Sequence, residues 1–485
     1  MNKIIMTKNE NHVAELSNVI LVVRYILFIS SIYLGVLGFF ESDKTILFLA
    51  VLIIFLNNII YSLEKIENRI ILLAFSITFY TFLLGGISAE YVWNYHSDYF
   101  FSDSIWIHTE ICLFIALFFI FVFYSILEKS NKERQKDLIE RYENAKYKSV
   151  RRSGKIIFYV TYVFYIICTL EKVIFVKGSG YLAYYTEYSS SLPYTFVKIG
   201  DMANIAFLVF LATMPTKKEA KWPIILYLAQ ALLALGAGKR SSLIIPLLTI
   251  IIYFIIRNKI NPDEKKPWFG KKELVTCIIL VPIIISFMYI YNIIRLESDY
   301  NNLSLIQSLY GFFEETGFSV NVINYGKLYE ANIPNKIYSF GTVIDYLREN
   351  VITQLFLDLP VYKGQTVEKA LNSHNFSQII TYIPAPNWYL NGHGYGSSYI
   401  AESYHDFGYF GIVLFSLVYS FVMTKLYDYR NKRIIYVSLS LIIIKPILMA
   451  PRFAADAFLA ELINFHTWIV IFVIFVFAKI IRKKV

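Results

Sequence analysis

The feature that most constrains this chain is a succession of apolar runs, each close to the length that crosses a membrane. A helix needs about 20 residues to cross roughly 30 Å of hydrocarbon. In lipid every backbone polar group must be paired within the protein, so runs of this length predict helices rather than the strands of a barrel. Twelve such runs lie at about 17–40, 45–63, 69–88, 106–127, 155–175, 195–214, 222–237, 241–257, 274–294, 407–425, 434–450 and 463–480.

The composition agrees with a membrane protein. Hydrophobic residues make up 56% of the sequence and charged residues only 17%, below the roughly 25% that is usual for a soluble domain. The three cysteines, Cys112, Cys168 and Cys277, all lie in apolar runs and lack the spacing of metal ligands. We therefore predict an all-α fold, a polytopic helical bundle of about twelve spans, with no disulfide framework and no zinc site.

The basic residues predict how the spans are oriented. Most of the Lys and Arg residues behind the net charge of +10 lie in short segments between apolar runs. The positive-inside rule assigns such segments to the cytoplasm, so the charge does not indicate a nucleic-acid partner. The richest segment follows the fourth run, and alternation from it places both termini in the cytoplasm. Its basic residues are Lys129, Lys132, Arg134, Lys136, Arg141, Lys146, Lys148, Arg151, Arg152 and Lys155.

One connection is much longer than the others and divides the chain into three parts. Residues 1–294 hold spans one to nine, 295–406 form a large extracytoplasmic loop, and 407–485 hold the last three spans. Within the loop, 303–330 and 341–356 have the apolar spacing of short helices.

A basic hairpin tip lies between spans seven and eight, at 236–242. By alternation, Lys239 and Arg240 face outward. Span seven has about 16 residues, or about 24 Å of helix, so the tip should lie at or below the outer headgroups. Cations at that depth are costly unless they are paired, and a lipid pyrophosphate would pair with both. The alternative is that both side chains extend to ordinary phospholipid headgroups.

A second group of polar residues runs directly into span ten, from His393 to Gly411. If 397–411 is helical, Ser398, Glu402 and His405 share one face. A carboxylate and an imidazole there could accept a proton from a sugar hydroxyl, and His393 is a further candidate. The alternative is a helix N-terminus with serine caps, at which the helix dipole stabilises Glu402.

A third charged group lies near the outer ends of the last two spans, and its members are Lys445, Arg452, Asp456 and Glu461. Arg452 could complete an anion site with Arg240. Alternatively, Arg452 pairs with Asp456 or Glu461, as charges buried in a bundle commonly do. Arg295, at the outer end of span nine, is a further candidate for anion contact.

These motifs resemble those of the Wzy-type O-antigen and capsular repeat-unit polymerases. Gly238-Lys239-Arg240 looks like that family's Gly-x-Arg segment, and His393 through Gly411 looks like its His…Gly-x-Ser…Glu…Phe-Gly…Gly segment. The resemblance implies a multi-pass glycosyltransferase of the bacterial plasma membrane with a GT-C-like plan. It implies a growing glycan on undecaprenyl pyrophosphate as donor and a lipid-linked repeat unit as acceptor. Membrane lipids and a chain-length regulator are the further partners expected.

The implied reaction predicts roles for the candidate residues. An acceptor hydroxyl would attack the anomeric carbon of the donor while the lipid pyrophosphate leaves. Lys239, Arg240, Arg452 and Arg295 would stabilise the departing charge, and Glu402, His405 or His393 would take the proton. We expect no cofactor and no metal, because the cations can neutralise the pyrophosphate and the outer loops contain no Asp-x-Asp ligand pair.

Two other functions are compatible with a chain of about twelve spans. A related O-antigen ligase would share much of this plan. A flippase for lipid-linked oligosaccharides would instead be expected to have repeated halves and charged residues around a central cavity. The two halves of this chain are not alike, and the candidate cations are predicted at one face.

Overall fold

The computed structural model describes residues 2–93, 101–130, 144–260, 266–295, 304–357, 359–362, 364–426, 429 and 432–483. Its regular elements are all helical, which confirms the predicted fold class. In chain order the helices are α1 (Asn2–Glu41), α2 (Lys44–Glu64), α3 (Ile66–Phe79), α4 (Gly85–Trp93), α5 (Asp103–Ser130), α6 (Ala145–Ser179), α7 (Ala183–Thr186), α8 (Tyr194–Ala212), α9 (Lys217–Leu235), α10 (Ser241–Ile260), α11 (Lys271–Arg295), α12 (Leu305–Gly317), α13 (Asn321–Leu328), α14 (Gly341–Glu349), α15 (Val351–Leu357), α16 (Val367–Asn372), α17 (Phe376–Tyr382), α18 (Pro386–Leu390), α19 (Tyr399–Leu426), α20 (Ile434–Met449), α21 (Ala457–Ile463) and α22 (Phe465–Lys483).

Eleven helices within the described residues are long and apolar enough to cross a membrane. The remaining predicted run, 222–237, lies in α9, which is also helical. The first turns of that helix contain Lys217, Lys218, Glu219 and Lys221. Its remaining apolar part is therefore shorter than the apolar parts of the eleven spans. The eleven spans are Asn18–Glu41, Lys44–Glu64, Ile66–Tyr91, Asp103–Glu128, Ala145–Ser179, Tyr194–Ala212, Ser241–Ile260, Lys271–Ile293, Tyr399–Leu426, Ile434–Arg452 and Phe465–Arg482.

One end of the bundle, which we call the basic end, is held together by arginines. Arg151 donates to the carbonyl of Thr213 at 3.0 Å and pairs with Glu219 at 3.2 Å. Arg257 donates to the carbonyl of Pro215 at 3.2 Å. The C-termini of α8 and α10 and the N-termini of α6 and α9 therefore meet at this end, and the arginines bond carbonyls that the helices leave unpaired.

The opposite end, which we call the loop end, holds the long segment 304–398. There Lys44 pairs with Asp103 at 2.7 Å, and Arg240 pairs with Glu315 at 3.1 Å. The hairpin tip between α9 and α10 therefore lies at the same end as the long segment. Helix α1 ends and helix α22 begins at the loop end, so the first residues of α1 and the last residues of α22 point toward the basic end.

Helix α12 of the long segment packs directly against the start of α4. A Cβ added to Gly317 would lie only 2.1 Å from the backbone nitrogen of Gly86. The carbonyl oxygen of Phe313 lies 3.0 Å from the position of a Cβ on Gly85. These glycines let the two backbones meet, so the long segment is packed into the bundle and contributes to its core.

The last part of the long segment continues into a membrane span through a kink. Helix α19 begins at Tyr399, earlier than the predicted start near 407, and Ser398 bonds its first turn. Gly408 breaks the helix with φ 61° and ψ −154°, a conformation that favours glycine. A Cβ on Gly411 would lie 2.1 Å from the carbonyl oxygen of Ser403. The chain is therefore helical from Tyr399 up to Gly408, which includes Glu402 and His405, and the backbone turns at Gly408 within the stretch 397–411.

We expect Gly317→Ala to destabilise the protein by about 1–3 kcal/mol, because the new methyl group overlaps the backbone of α4. The measurement is the melting temperature of the purified protein in detergent. Gly178→Ala is the matched control, since no atom lies within 4 Å of its Cβ position. Equal melting temperatures for the two variants would contradict the close packing of α12.

Candidate functional site

The hairpin tip at the loop end is held under a short tyrosine-rich segment, residues 181–191. Gly238 has φ +90°, and a Cβ there would lie 2.1 Å from the ring of Tyr181. The ammonium group of Lys239 lies 4.5 Å from the ring centre of Tyr184 and 5.4 Å from that of Tyr185. Aromatic faces attract cations in this geometry, so the tyrosine segment holds Lys239 in place.

The tyrosine segment is fastened to α6 by one carboxylate. Glu171 accepts hydrogen bonds from the hydroxyls of Tyr188 at 3.0 Å and Ser190 at 2.6 Å. It also accepts from the backbone N–H of Ser191 at 2.6 Å. A charged acceptor with several donors is a strong anchor, so this segment has a defined position over the tip.

Two lysines from other parts of the fold lie near enough to Lys239, at the tip, to act on its charge. Burial lowers the pKa of Lys239, and the charges of Lys172 and Lys445 lower it further. We call Lys172 of α6, Lys239 of the tip and Lys445 of α20 the lysine cluster. None of the three forms a salt bridge with a carboxylate among the described residues. Their mutual repulsion costs free energy that an anionic ligand would relieve.

Lys445 is an exposed residue within a buried part of α20. Its neighbours in α20, residues 440–444 and 446–449, are all buried, yet Lys445 itself is exposed. Glu461 lies near enough for Lys445 to lower its pKa, although burial raises that pKa more strongly. An exposed lysine within an otherwise buried span is a candidate functional group.

Arg240 is positioned by α12. One of its guanidinium nitrogens lies 3.1 Å from a carboxylate oxygen of Glu315, and the side-chain amide of Asn292 bonds the other oxygen. The guanidinium also lies 5.9 Å from the ring centre of Phe312. Arg240 is therefore held by a carboxylate of the long segment that the sequence pattern did not single out.

Arg452 lies against the glycine-rich part of the second motif. Gly396 has φ +86°, and the position of its missing Cβ is 3.4 Å from Cγ and 3.5 Å from Nε of Arg452. The backbone N–H of Ser397 donates to the carbonyl of Arg452 at 3.3 Å. Asp456 accepts instead from the backbone N–H of Val343 at 2.7 Å, at the N-terminus of α14.

Glu402 is almost completely buried, with 1% of its surface exposed. One carboxylate oxygen accepts from the hydroxyl of Ser397 at 2.5 Å, and the other accepts from the backbone N–H of Ala455 at 2.7 Å. The side chain therefore joins the end of the long segment to the turn before α21, and both of its oxygens are occupied.

His405 points away from these partners. Its ring packs on Tyr338 and Phe376, with ring centres 5.1 Å and 5.8 Å away. It lines a small pocket with Glu330 and Tyr404. Glu402 and His405 are close in sequence, but they bond and pack with different parts of the long segment.

His393 lies on the side of the tyrosine segment. Its ring stacks on Trp388, with ring centres 4.6 Å apart and planes inclined by 11°. A Cβ on the preceding Gly392 would lie 2.6 Å from the carbonyl oxygen of Leu182. Burial lowers the pKa of His393. Burial therefore favours the neutral form of the imidazole, which lies next to the segment that covers Lys239.

The remaining candidate is Arg295, whose side chain lies outside the described residues. Among the described residues, no group of three His, Cys, Asp or Glu side chains could hold a metal ion. Lys172 was missed by the sequence analysis. Its position next to Glu171 inside an apolar run was a usable signal, because charges are costly within a span.

The family model described as O-antigen polysaccharide polymerase Wzy matches residues 17–485. The chain belongs to this family. No curated protein and no solved structure matches the chain significantly.

The family match confirms the resemblance stated from the two motifs. The protein is a multi-pass membrane polymerase that joins O-antigen repeat units, and it acts on lipid-linked oligosaccharide. The match covers the loop end as well as the spans, so the lysine cluster and the segment from His393 to Gly411 are both parts of the polymerase. It favours polymerisation over the ligase and flippase alternatives.

Substitutions of Glu402 can test whether this residue positions its neighbours or accepts a proton in the reaction. Glutamine can keep both hydrogen bonds, because the Ser397 hydroxyl can accept as well as donate. We therefore expect Glu402→Gln to retain most of the polymerase activity and its melting temperature. We expect Glu402→Leu to destabilise the polymerase by about 1–3 kcal/mol, because two buried donors lose their acceptor.

The measurements are the ladder of products from a lipid-linked repeat unit and the melting temperature in detergent. Glu368→Gln, at an exposed position, is the control. An inactive Glu402→Gln variant with an unchanged melting temperature would favour the proton-accepting role.

Proposed function

We propose that this polymerase binds the pyrophosphate of a polyprenyl-linked donor in the lysine cluster, with Arg240 at its edge. The observation that carries this proposal is that Lys445 is exposed within a buried span and lies near enough to Lys239 to act on its charge. Diphosphate groups offer several anionic oxygens, which suit lysine ammonium groups and a guanidinium. Binding would replace repulsion between lysines with attraction to the ligand.

The loop end is proposed to face outward from a bacterial plasma membrane, with both termini in the cytoplasm. Support comes from the positive-inside rule, because Arg151, Lys217 and Arg257 lie at the basic end. The reaction would then take place at the outer membrane surface, where a long segment can contact glycan. A chain-length regulator stays a prediction from the family resemblance.

The proposed reaction is a displacement at the anomeric carbon of the donor sugar. The oxygen of an acceptor hydroxyl bonds to this carbon, and the bond from the carbon to the phosphate oxygen breaks. The electron pair leaves with the polyprenyl pyrophosphate, whose charge the lysine cluster stabilises. Because these side chains supply the positive charge, we propose that no metal is needed. Arg452 and Arg295 stay candidates for additional phosphate contacts.

We propose His393 as the base that takes the acceptor proton. Its two ring nitrogens have no hydrogen-bond partner among the described residues, and its lowered pKa favours the neutral form that a base requires. It also lies beside the tyrosine segment that covers Lys239. Glu402 is proposed to position Ser397 and the turn at Ala455, because both of its oxygens are occupied. His405 is proposed to pack the long segment.

We expect Lys445→Met to lower the rate of polymerisation by about 100-fold, because one preorganised cation is lost. Its melting temperature should be unchanged or higher, since like-charge repulsion within the lysine cluster is reduced. The measurement is the product ladder formed by purified protein from a lipid-linked repeat unit. Lys479→Met, an exposed position in α22, is the matched control. Wild-type ladders from Lys445→Met would refute the proposed pyrophosphate site.

We expect His393→Gln to lower the polymerisation rate by about 10² to 10⁴, the usual contribution of a general base. His405→Gln should have a much smaller effect. In the wild type the rate should fall as acid protonates His393. Because burial lowers its pKa, the half-maximal rate should come below pH 6.5, the ordinary pKa of histidine. Loss of activity with His405→Gln alone would reverse the assignment.

A further inference from the structure

Helix α15, in the middle of the long segment, ends with three large apolar side chains that are exposed. Leu355, Phe356 and Leu357 are 78%, 78% and 64% exposed. Successive residues of a helix lie about 100° apart, so these three cover about 200° of its circumference. We call them the α15 patch. A contiguous apolar surface of this kind marks a contact with a partner or with a membrane.

The preceding helix, α14, lies beside the end of a membrane span. The backbone N–H of Phe465, where the span in α22 begins, donates to the hydroxyl of Tyr346 in α14 at 2.8 Å. About one turn further along α22, Trp468 is exposed, and its indole N–H donates to the carbonyl of Leu462 at 2.7 Å. Tryptophans at the ends of spans are typical of the headgroup level. Tyr346 therefore holds α14 at the level where the membrane begins.

The corner between α14 and α15 pairs its backbone carbonyls with its own side chains. The last carbonyls of a helix have no partner within that helix. Here the carbonyl of Leu347 accepts from the hydroxyl of Thr353 at 2.6 Å and from the amide of Asn350 at 2.7 Å. The carbonyl of Arg348 accepts from the side-chain amide of Gln354 at 3.2 Å. Internal pairing of this kind suits a corner beside hydrocarbon, because lipid tails offer no hydrogen bonds.

The polar side of α14 is bonded to the rest of the protein. Asp345 accepts from the backbone N–H of His374, in the long segment, at 3.0 Å. Leu347 lies about 200° around the helix from Asp345 and is exposed. The helix is therefore amphipathic, with its polar side toward the protein and an apolar side chain outside. Helices of this kind lie along a membrane surface, with the apolar side about 5–10 Å into the boundary between headgroups and acyl chains.

We propose that α14 and α15 form an interfacial anchor, in which Leu347 and the α15 patch insert among the acyl chains of phospholipids at the loop end. Lipid is favoured over a partner protein because the anchor adjoins the start of α22, whose exposed Phe465, Trp468 and Phe472 already face lipid. The anchor would hold the middle of the long segment at the membrane surface, where the lipid-linked substrates lie. It does not depend on the proposed pyrophosphate site.

The test places a fluorescent amino acid at Phe356 of the full-length protein, by suppression of a stop codon, and the protein is reconstituted in phospholipid nanodiscs. Quenching is measured with phospholipids brominated on their acyl chains and, separately, with iodide in the water. We expect brominated lipid to quench the label at least about half as strongly as a label within a span, because the patch is inserted. Iodide should quench it weakly.

Two other exposed positions provide matched controls. The same label at Phe472, about two turns into α22, reports quenching by lipid. At Glu368, in α16 of the long segment, it reports quenching by iodide in water.

A label at Phe356 that iodide quenches as strongly as the label at Glu368 would overturn the proposal, because the patch would then face water. Protection from both quenchers would also overturn it, since a protein surface would then cover the patch. If the protein labelled at Phe356 does not fold, the label is placed at Leu355, for which the same results are expected. No substrate is present, so quenching by brominated lipid reports contact with phospholipid.

Discussion

The arrangement of the loop end depends on the two hydrogen bonds of Glu402. This carboxylate joins Ser397, at the end of the long segment, to the backbone of Ala455, which follows α20. Burial makes both bonds important, because neither donor can turn to water if the carboxylate is removed. The connection also holds Gly396 against Arg452. Glu402 could be a catalytic group by its residue type, but its hydrogen bonds show that it joins the end of the long segment to the turn after α20.

The cations of the site are held by two kinds of partner. Arg240 pairs with Glu315, whereas Lys239 lies over the rings of Tyr184 and Tyr185. A cation–π contact holds a lysine without neutralising its charge, so the positive potential beside the tip persists. Lys445 adds to that potential from within a span. This arrangement suits the anion site proposed above, in which repulsion between the lysines costs free energy when no anion is bound.

Several features of the site could be predicted from local sequence, and others could not. The motif from His393 to Gly411 was visible in the sequence, but the kink at Gly408 and the close approach of Gly411 to the carbonyl of Ser403 were not. Glu315 lies in a stretch whose apolar spacing predicts a helix. That spacing does not indicate a contact with Arg240. Lys172 lies inside an apolar run, where its charge was a signal that the sequence analysis did not use.

The sequence by itself determined the fold class, the approximate positions of the spans and the family. These follow from local properties, since an apolar run of about 20 residues must form a helix wherever it lies in lipid. Only the tertiary structure decided which charged groups meet. The lysine cluster joins α6, the hairpin tip and α20, and such contacts depend on packing between helices that are far apart in the chain. No local pattern encodes them, because the same apolar surface can pack against many neighbours.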